Sequence, residues 1–158
     1  LKVLIDHVKM LKAWHVSGKP NAMPEVYMAG NKKVDDKSED LNFEIRFLEG
    51  VVQESPDFVE ALINLGDLYT KGGFFEKGLN VDQRLAALRP EDPTVLYNLA
   101  CSYSLVHDTE KAFEAMKLAI QKGYQDIDHL EKDSDLANLR DFPPFEDFLV
   151  KIKTKRLS

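Results

Sequence analysis

The sequence contains few of the residues on which reactive or disulfide-stabilised proteins depend. Among 158 residues there is one cysteine, Cys101, and one tryptophan. A lone cysteine cannot form a disulfide within the chain, and this favours a reducing compartment, which we expect to be the cytoplasm. No apolar run approaches the ~18 residues of a membrane-spanning helix. The net charge of −6 argues against nucleic-acid binding, because contact with phosphates favours a basic surface.

Motifs for catalysis and metal binding are also missing. The four histidines show no metal-ligand spacing with the cysteine, and the Gly72–Gly73 pair is too short for a phosphate-binding loop. The acidic run that starts at Asp133 lacks the glycine and the glutamate that a calcium loop has at its sixth and twelfth positions. We interpret these aspartates as helix caps and solvated surface. The sequence therefore predicts a protein that is not an enzyme and has no cofactor or metal.

The first forty residues differ from the rest of the chain. Apolar side chains recur at three- and four-residue steps in residues 1–16, which predicts an amphipathic helix; they are Leu1, Leu4, Val8 and Leu11. Residues 17–40 combine glycine, proline and mixed charge, which predicts a linker. Asp6 and His7 interrupt the apolar run and argue against a signal peptide. Because the chain starts with leucine rather than methionine, an upstream domain and a removed signal stay open as alternatives.

A repeated pattern organises the middle of the chain. Residues 59–92 and 93–126 align as two 34-residue lines that match Leu62 with Leu96, Asn64 with Asn98, Leu65 with Leu99, Gly66 with Ala100, Tyr69 with Tyr103 and Gly78 with Ala112. A fixed period of this length is typical of a helical repeat. We expect each repeat to be a helix of about 14 residues, a tight turn and a second helix. The small residues of the pattern predict where the two helices cross closely.

Cap and turn residues mark the predicted helix ends. The Gly72–Gly73 pair ends the first helix of the first repeat. Asp92 and Asp108 are placed as N-caps of the two helices of the second repeat, and Ser55 is placed to cap the helix that opens the first. Gly123 ends the second repeat. These signals predict four helices between residues 55 and 123.

The same period extends beyond the two complete repeats. Residues 41–56 are in phase with the second helix of a repeat, since Pro56 stands 34 residues before Pro90, and we expect a half repeat there. Residues 127–155 continue the phase in degenerate form, with Asp133 where a leucine is expected. A terminal repeat requires a polar outer surface because nothing stacks on it. This stretch is therefore predicted to be a degenerate repeat and cap.

These motifs resemble the tetratricopeptide repeat (TPR) family. The resemblance rests on LINLGDLY…G…P in residues 62–90 and LYNLACSY…A…A in residues 96–119, and it covers residues 41–155. It implies an all-α fold, a right-handed superhelical stack of antiparallel helical hairpins (an α-solenoid), with about three repeats and a C-terminal capping helix. The first repeat departs from the family at three places, one of which is Leu85 in place of a small residue. Asp82 falls where a large apolar residue is usual, and Gly78 replaces the commoner alanine.

Within the predicted TPR-like domain, residues 41–158, the resemblance implies a concave face that the first helix of each repeat lines. Twelve positions are carried over as candidate partner contacts: Glu60, Ile63, Asn64, Asp67, Lys71, Thr94, Tyr97, Asn98, Cys101, Leu105, His129 and Lys132. Ile63 and Asp67 stand where a carboxylate-binding subclass of the family has a lysine and an asparagine, which argues against that clamp. A peptide with apolar anchors and a basic residue fits this lining better.

These observations predict a non-catalytic protein–protein interaction scaffold or adaptor that binds a peptide or a partner helix in the concave groove. Asn64 and Asn98 have a second interpretation, which is hydrogen bonding to neighbouring backbone. Two alternatives for the whole chain stay open. One is a structural module that self-assembles into a homo-oligomer through the helix of residues 1–16. The other is a regulatory domain that packs against that helix or against a missing domain.

Overall fold

A computed structural model gives the structure of the chain; it describes the backbone of residues 36–157 and the side chains of residues 39–154. The chain divides into two compact units, residues 1–42 and residues 43–158, and the larger contains both complete repeats. The predicted helix of residues 1–16 lies outside the described residues. Self-assembly or regulation through that helix therefore stays a prediction.

The described backbone consists of helices and turns, without a strand, which confirms the predicted all-α class. In chain order the elements are α1 (Asp36–Glu54), α2 (Val59–Lys71), α3 (Phe75–Leu88), α4 (Pro93–Leu105), α5 (Thr109–Gln121), α6 (Ile127–Lys132), a 3-10 turn (Ser134–Leu136), α7 (Ala137–Arg140) and α8 (Pro143–Leu157). The first repeat is the hairpin of α2 and α3, and the second is the hairpin of α4 and α5. Stacked in sequence, these hairpins form an α-solenoid.

Several predicted caps are confirmed. Asp92 accepts hydrogen bonds from the backbone nitrogens of Thr94 (2.9 Å) and Val95 (3.3 Å) at the start of α4, where Pro93 is the first helical residue. Asp108 caps α5 in the same way through the backbone nitrogen of Lys111. These carboxylates satisfy backbone donors that a helix leaves unpaired in its first turn.

The turns that reverse the chain have left-handed backbone. Gly73 has φ of 73° and Gly123 has φ of 111°, values that glycine adopts without steric cost. His107 occupies the equivalent turn of the second repeat with φ of 63°. The two hairpins therefore close with the same geometry although only one of them uses a glycine there.

Two predicted boundaries differ from the structure. Ser55 does not cap α2, because its backbone nitrogen donates to the carbonyl of Val51 and so continues the last turn of α1. The helix begins later, at Val59, after Phe58, which makes no side-chain cap. Residues 36–40, expected to belong to the linker, are helical and open α1.

The degenerate third repeat is where the helical pattern breaks. Its first helix is divided into α6, the 3-10 turn and α7. The break falls at Asp133, whose backbone is extended (φ −64°, ψ 120°) and whose Oδ1 accepts a hydrogen bond from the backbone nitrogen of Asp135 at 3.0 Å. A short carboxylate side chain favours such local bonding over continued helix. The final helix, α8, starts at Pro143.

A continuous core joins the second repeat to this C-terminal segment. Its fully buried side chains come from α4, α5 and the elements after them, and they include Ala100, Ala112, Met116, Ala119, Leu130, Leu136, Leu139 and Phe145. Burial of a Leu, Met or Phe side chain contributes about 1.5–3 kcal/mol each. The small side chains predicted at the helix crossings, Gly66, Gly78, Ala100 and Ala112, are all buried.

Candidate partner-binding face

One face of α2 is exposed and carries all five predicted contacts of the first repeat. The residues Glu60, Ile63, Asn64, Asp67 and Lys71 recur at the three- and four-residue spacing that places side chains on one side of a helix. Ile63 is 44% exposed and is one of four exposed large apolar side chains among the described residues. The opposite face, which includes Leu62 and Leu65, is buried in the hairpin. The exposed face thus presents one apolar side chain among polar groups.

Polar side chains on this face bond to one another. Nδ2 of Asn64 donates to the carbonyl oxygen of Glu60 at 2.6 Å. This asparagine therefore bonds to neighbouring backbone, as the second interpretation of the sequence predicted. Lys71 forms an ion pair with Asp67 at 2.5 Å, and both side chains are more than half exposed. The hydrogen bond to Asp67 raises the pKa of Lys71. Lys71 therefore compensates Asp67, whereas no ion pair with another described side chain compensates Glu60.

The predicted residues of α4 separate into an exposed pair and a covered group. Thr94 and Asn98 are exposed, and Leu105 is half-buried. Tyr97 is 5% exposed and Cys101 is 8% exposed. Among the described residues no hydrogen bond or ion pair joins this helix's candidate residues to those of α2. The structure therefore does not join the five α4 positions into one open surface.

Asp133 is the centre of the covered group. Its Oδ2 accepts a hydrogen bond from the hydroxyl of Tyr97 at 2.5 Å and lies 3.7 Å from Sγ of Cys101. Nε2 of His129, a third predicted contact, lies 3.5 Å from the same oxygen. The ring of Tyr97 also stacks on Tyr124, with centroids 4.3 Å apart and planes 5° apart. Three predicted contacts are thus brought together around an aspartate.

The electrostatics of this group keep its donors protonated. Burial, as the largest cause, raises the pKa of the Tyr97 hydroxyl and the pKa of the Cys101 thiol, and the nearby charge of Asp133 raises both further. A thiol with a raised pKa is a poor nucleophile at neutral pH. Cys101 is therefore suited to packing and to a weak hydrogen bond with Asp133, and its chemistry does not suggest covalent catalysis.

Asp133 and Tyr124 were not among the predicted site residues. The available signal was the phase of the repeat, because Asp133 occupies the position that Leu65 and Leu99 hold in the two complete repeats. His129 and Lys132, the predicted contacts of the third repeat, are both exposed on α6. Partner contact by Tyr97 and Cys101 stays a prediction and requires the segment around Asp133 to move aside.

The described part of the chain contains neither a candidate metal site nor a helix that could span a membrane. Residues with described side chains include no group of three or more histidines, cysteines, aspartates or glutamates placed to hold a metal ion. No helix within the described ranges is long and apolar enough to cross a membrane. The cytoplasmic location stays a prediction.

The stacked hairpins and their C-terminal capping helix define a TPR-like α-solenoid. Among solved structures, the chain is similar to MamA 41-end from Desulfovibrio magneticus RS-1, a TPR-like protein, with a TM-score of 0.53 and 19% identity over 77% of this chain and 71% of that one. At this level of identity the similarity shows the fold.

Sequence similarity to known proteins covers a smaller part of the chain than the structural similarity does. No protein-family model matches the chain. It is 29% identical over 84 residues to a chloroplastic protein from Arabidopsis thaliana, a stretch that is 51% of this chain and 25% of that protein. The chain therefore spans about a quarter of the length of this curated relative.

Proposed function

We propose that the chain is a non-catalytic TPR-type scaffold that binds a peptide or a partner helix on the face formed by its first helices. The observation that supports this most directly is the pair Asn64 and Asn98. These residues are 34 positions apart, on the first helices of successive repeats, and both are exposed. Asparagine is a weak helix former, so helix stability does not account for it at either position. Asn98 offers amide donors and an acceptor of the kind that pairs with a peptide backbone. Asn64 keeps its acceptor and its second amide hydrogen beside its bond to the Glu60 carbonyl.

The neighbouring side chains suggest what such a peptide contains. Ile63 offers an exposed apolar contact beside the amide of Asn64, and Glu60 supplies negative charge one turn earlier. A basic ligand residue would pair with Glu60, or would replace Lys71 as the partner of Asp67. A free carboxylate is disfavoured here because Glu60, which no described side chain compensates, would repel it. The proposed ligand is a segment with an apolar anchor and a lysine or arginine.

The test uses a random peptide library displayed against the full chain, followed by affinity measurements on selected peptides. The variant Ile63→Ala/Asn98→Ala changes two exposed side chains, and Glu146→Ala on α8 is a matched exposed control. We expect the double variant to weaken binding about tenfold or more, which corresponds to about 1.4 kcal/mol, and the control to bind normally. Selected peptides that keep full affinity for the folded double variant would contradict the proposal.

A further inference from the structure

A carboxyl group is buried where three helices of the two repeats meet. Asp82 of α3 is 7% exposed. Its Oδ2 accepts a hydrogen bond from Oγ of Ser102 on α4. Its Oδ1 faces α2, where it lies 3.2 Å from the position that a Cβ on Gly66 would occupy. This side chain therefore bridges the first repeat and the second.

Both members of the pair are polar where other repeats are apolar. The residue 34 positions after Asp82 is Met116, which is fully buried. The residues 34 positions before and after Ser102 are leucines, Leu68 and Leu136. The pairing is therefore confined to the interface between α3 and α4. Gly66 leaves room for the carboxyl, because an alanine at this position, as at the equivalent Ala100, would place its Cβ 3.2 Å from Oδ1 of Asp82.

No charged side chain compensates this carboxyl among the residues whose side chains are described. On the helices packed against it, the facing residues are Gly66 and Ser102, neither of which titrates in the accessible range. The titratable groups nearest to them along those helices have other partners. On α2, Asp67 pairs with Lys71 and Tyr69 bonds to Glu49. On α4, Cys101 bonds to Asp133 and Tyr103 to Gln83. Burial raises the pKa of Asp82 to about 6, and the hydrogen bond from Ser102 opposes that rise.

We propose that Asp82 and Ser102 form a polar clasp between the first and second repeats, which is tight when the carboxyl carries a proton and loosens when it ionises. A buried carboxylate without a counter-charge is costly, because one hydroxyl replaces only part of its hydration. The ionised form therefore favours states in which α3 and α4 separate enough to admit water. The clasp concerns the stack itself and holds whether or not the exposed face binds a peptide.

The direction of the pH effect follows from the two protonation equilibria. The folded pKa of Asp82, about 6, lies above its usual value of 3.8. The stabilising contribution is fully present below the unfolded pKa and is lost as the pH rises through the folded pKa. Between about pH 4 and pH 7 the unfolding equilibrium constant should rise on the order of 100-fold from this group alone.

The first experiment measures urea unfolding of the full chain between these pH values, for the wild type and for Asp82→Asn. The amide imitates the protonated acid in shape and hydrogen bonding but cannot ionise. We expect the wild type to lose stability across this range and the variant to lack that component. An unchanged pH dependence in Asp82→Asn overturns the clasp.

A double variant covers the case in which the single variant does not fold. Asp82→Met/Ser102→Leu installs the apolar residues that the other repeats carry at these positions. We expect it to be more stable than the wild type at about pH 7 and to lack the same pH-dependent component. A double variant that retains the wild-type dependence overturns the proposal.

The unmodified chain supplies an independent measurement. The ¹³C shift of the Asp82 carboxyl, followed by NMR, should titrate near pH 6, and a midpoint at or below its usual value of 3.8 overturns the proposal. Hydrogen exchange, corrected for its intrinsic pH dependence, should accelerate in α3 and α4 when the carboxyl ionises. Equal protection in both protonation states also contradicts a loosening interface.

Discussion

The hydroxyl of Tyr69 on α2 lies 2.6 Å from Oε1 of Glu49 on α1, to which it donates a hydrogen bond. The same contact recurs 34 residues later, where Nε2 of Gln83 on α3 donates to the hydroxyl of Tyr103 at 3.0 Å. Each bond joins the first helix of one hairpin to the last helix of the preceding one. The first version contains a charge and the second is neutral, so the two contacts should differ in strength.

Removing the tyrosine hydroxyl should cost more in the charged contact than in the neutral one. We expect Tyr69→Phe to lower the free energy of unfolding by about 1–2 kcal/mol and Tyr103→Phe by about 0.5–1 kcal/mol, because hydrogen bonds to charged groups are stronger. Urea denaturation at neutral pH measures both, and each tyrosine variant serves as the control for the other. Equal losses would show that the charge contributes nothing.

Glu49 should also make the first contact sensitive to acid. The hydrogen bond from Tyr69 lowers the pKa of Glu49 below its usual value of 4.5; burial opposes this, and the hydrogen bond from Lys77 adds to it. A lowered folded pKa stabilises the protein above the unfolded pKa, and this contribution is lost as the pH falls through the folded pKa. Glu49→Gln copies the neutral contact and should reduce the loss of stability below pH 4.5. Thermal unfolding of both proteins across acid pH compares them, and parallel curves would contradict the assignment.

The two buried glycines of the first hairpin should respond differently to alanine. A Cβ on Gly78 would meet its nearest atom, Oγ1 of Thr70, at 3.5 Å, which is ordinary contact. Gly78→Ala should therefore stabilise the protein by about 0.5–1 kcal/mol through helix propensity. Gly66→Ala should gain less, because its Cβ would lie 3.2 Å from Asp82.

A third glycine provides the control for those substitutions. Gly73 has open space where a Cβ would stand, but its φ is 73°. Gly73→Ala should destabilise the hairpin by about 1–2 kcal/mol because the left-handed backbone is unfavourable for alanine. Thermal melts of the three variants should rank Gly78→Ala highest and Gly73→Ala lowest. If another variant has the highest or the lowest melting temperature, backbone conformation and crossing distance do not determine the effect of alanine at these glycines.

Local signals predicted most of the fold, and long-range contacts account for what they missed. Helix caps and turns depend on neighbours within a few residues, so the sequence predicts them; examples are the caps at Asp92 and Asp108 and the turn at Gly123. At the break, Asp133 bonds locally to the backbone of Asp135, but its second carboxylate oxygen is bound by Tyr97, 36 positions away. A period of 34 residues predicts where a leucine is missing, but it does not predict what binds the aspartate that replaces it.

The same distinction separates the candidate contacts. Spacing along α2 correctly predicts that Ile63 and Asn64 share an exposed face, because that depends on helix geometry alone. The burial of Tyr97 depends on Tyr124 and Asp133, which belong to the end of the second repeat and to the third. The family resemblance implies that the first helix of every repeat lines the concave face. On α4, however, Asp133 of the broken third repeat covers Tyr97 on that face.

Loss of the Asp133 carboxylate should uncover the group around Tyr97. In Asp133→Ala the hydroxyl of Tyr97 loses its acceptor and the end of α6 loses its link to α4, which should cost about 1–3 kcal/mol. A thiol reagent should then modify Cys101, which is 8% exposed in the wild type, faster than it does in the wild type under native conditions. Asp128→Ala, an exposed change on α6, is the control. Equal modification rates in both variants would contradict the covering role of Asp133.

Aromatic packing should determine how firmly the last helix caps the solenoid. Phe113 of α5 makes edge-to-face contacts with Phe145 and Phe148 of α8, at centroid distances of 6.2 Å and 5.5 Å. Phe145 is fully buried, whereas Val150 on the same helix is 61% exposed. Phe145→Ala should lower the free energy of unfolding by about 3–5 kcal/mol, through lost burial and the cavity left behind.

The paired substitution on α8 separates packing from helix propensity. Val150→Ala shortens an exposed side chain on the same helix, so it should change stability by no more than about 0.5 kcal/mol. Hydrogen exchange adds a local readout, since α7 and α8 should lose protection in Phe145→Ala, while α2, which contributes no side chain to this core, should retain its protection. If α8 keeps wild-type protection in a folded Phe145→Ala variant, contacts other than the aromatic cluster hold the cap in place.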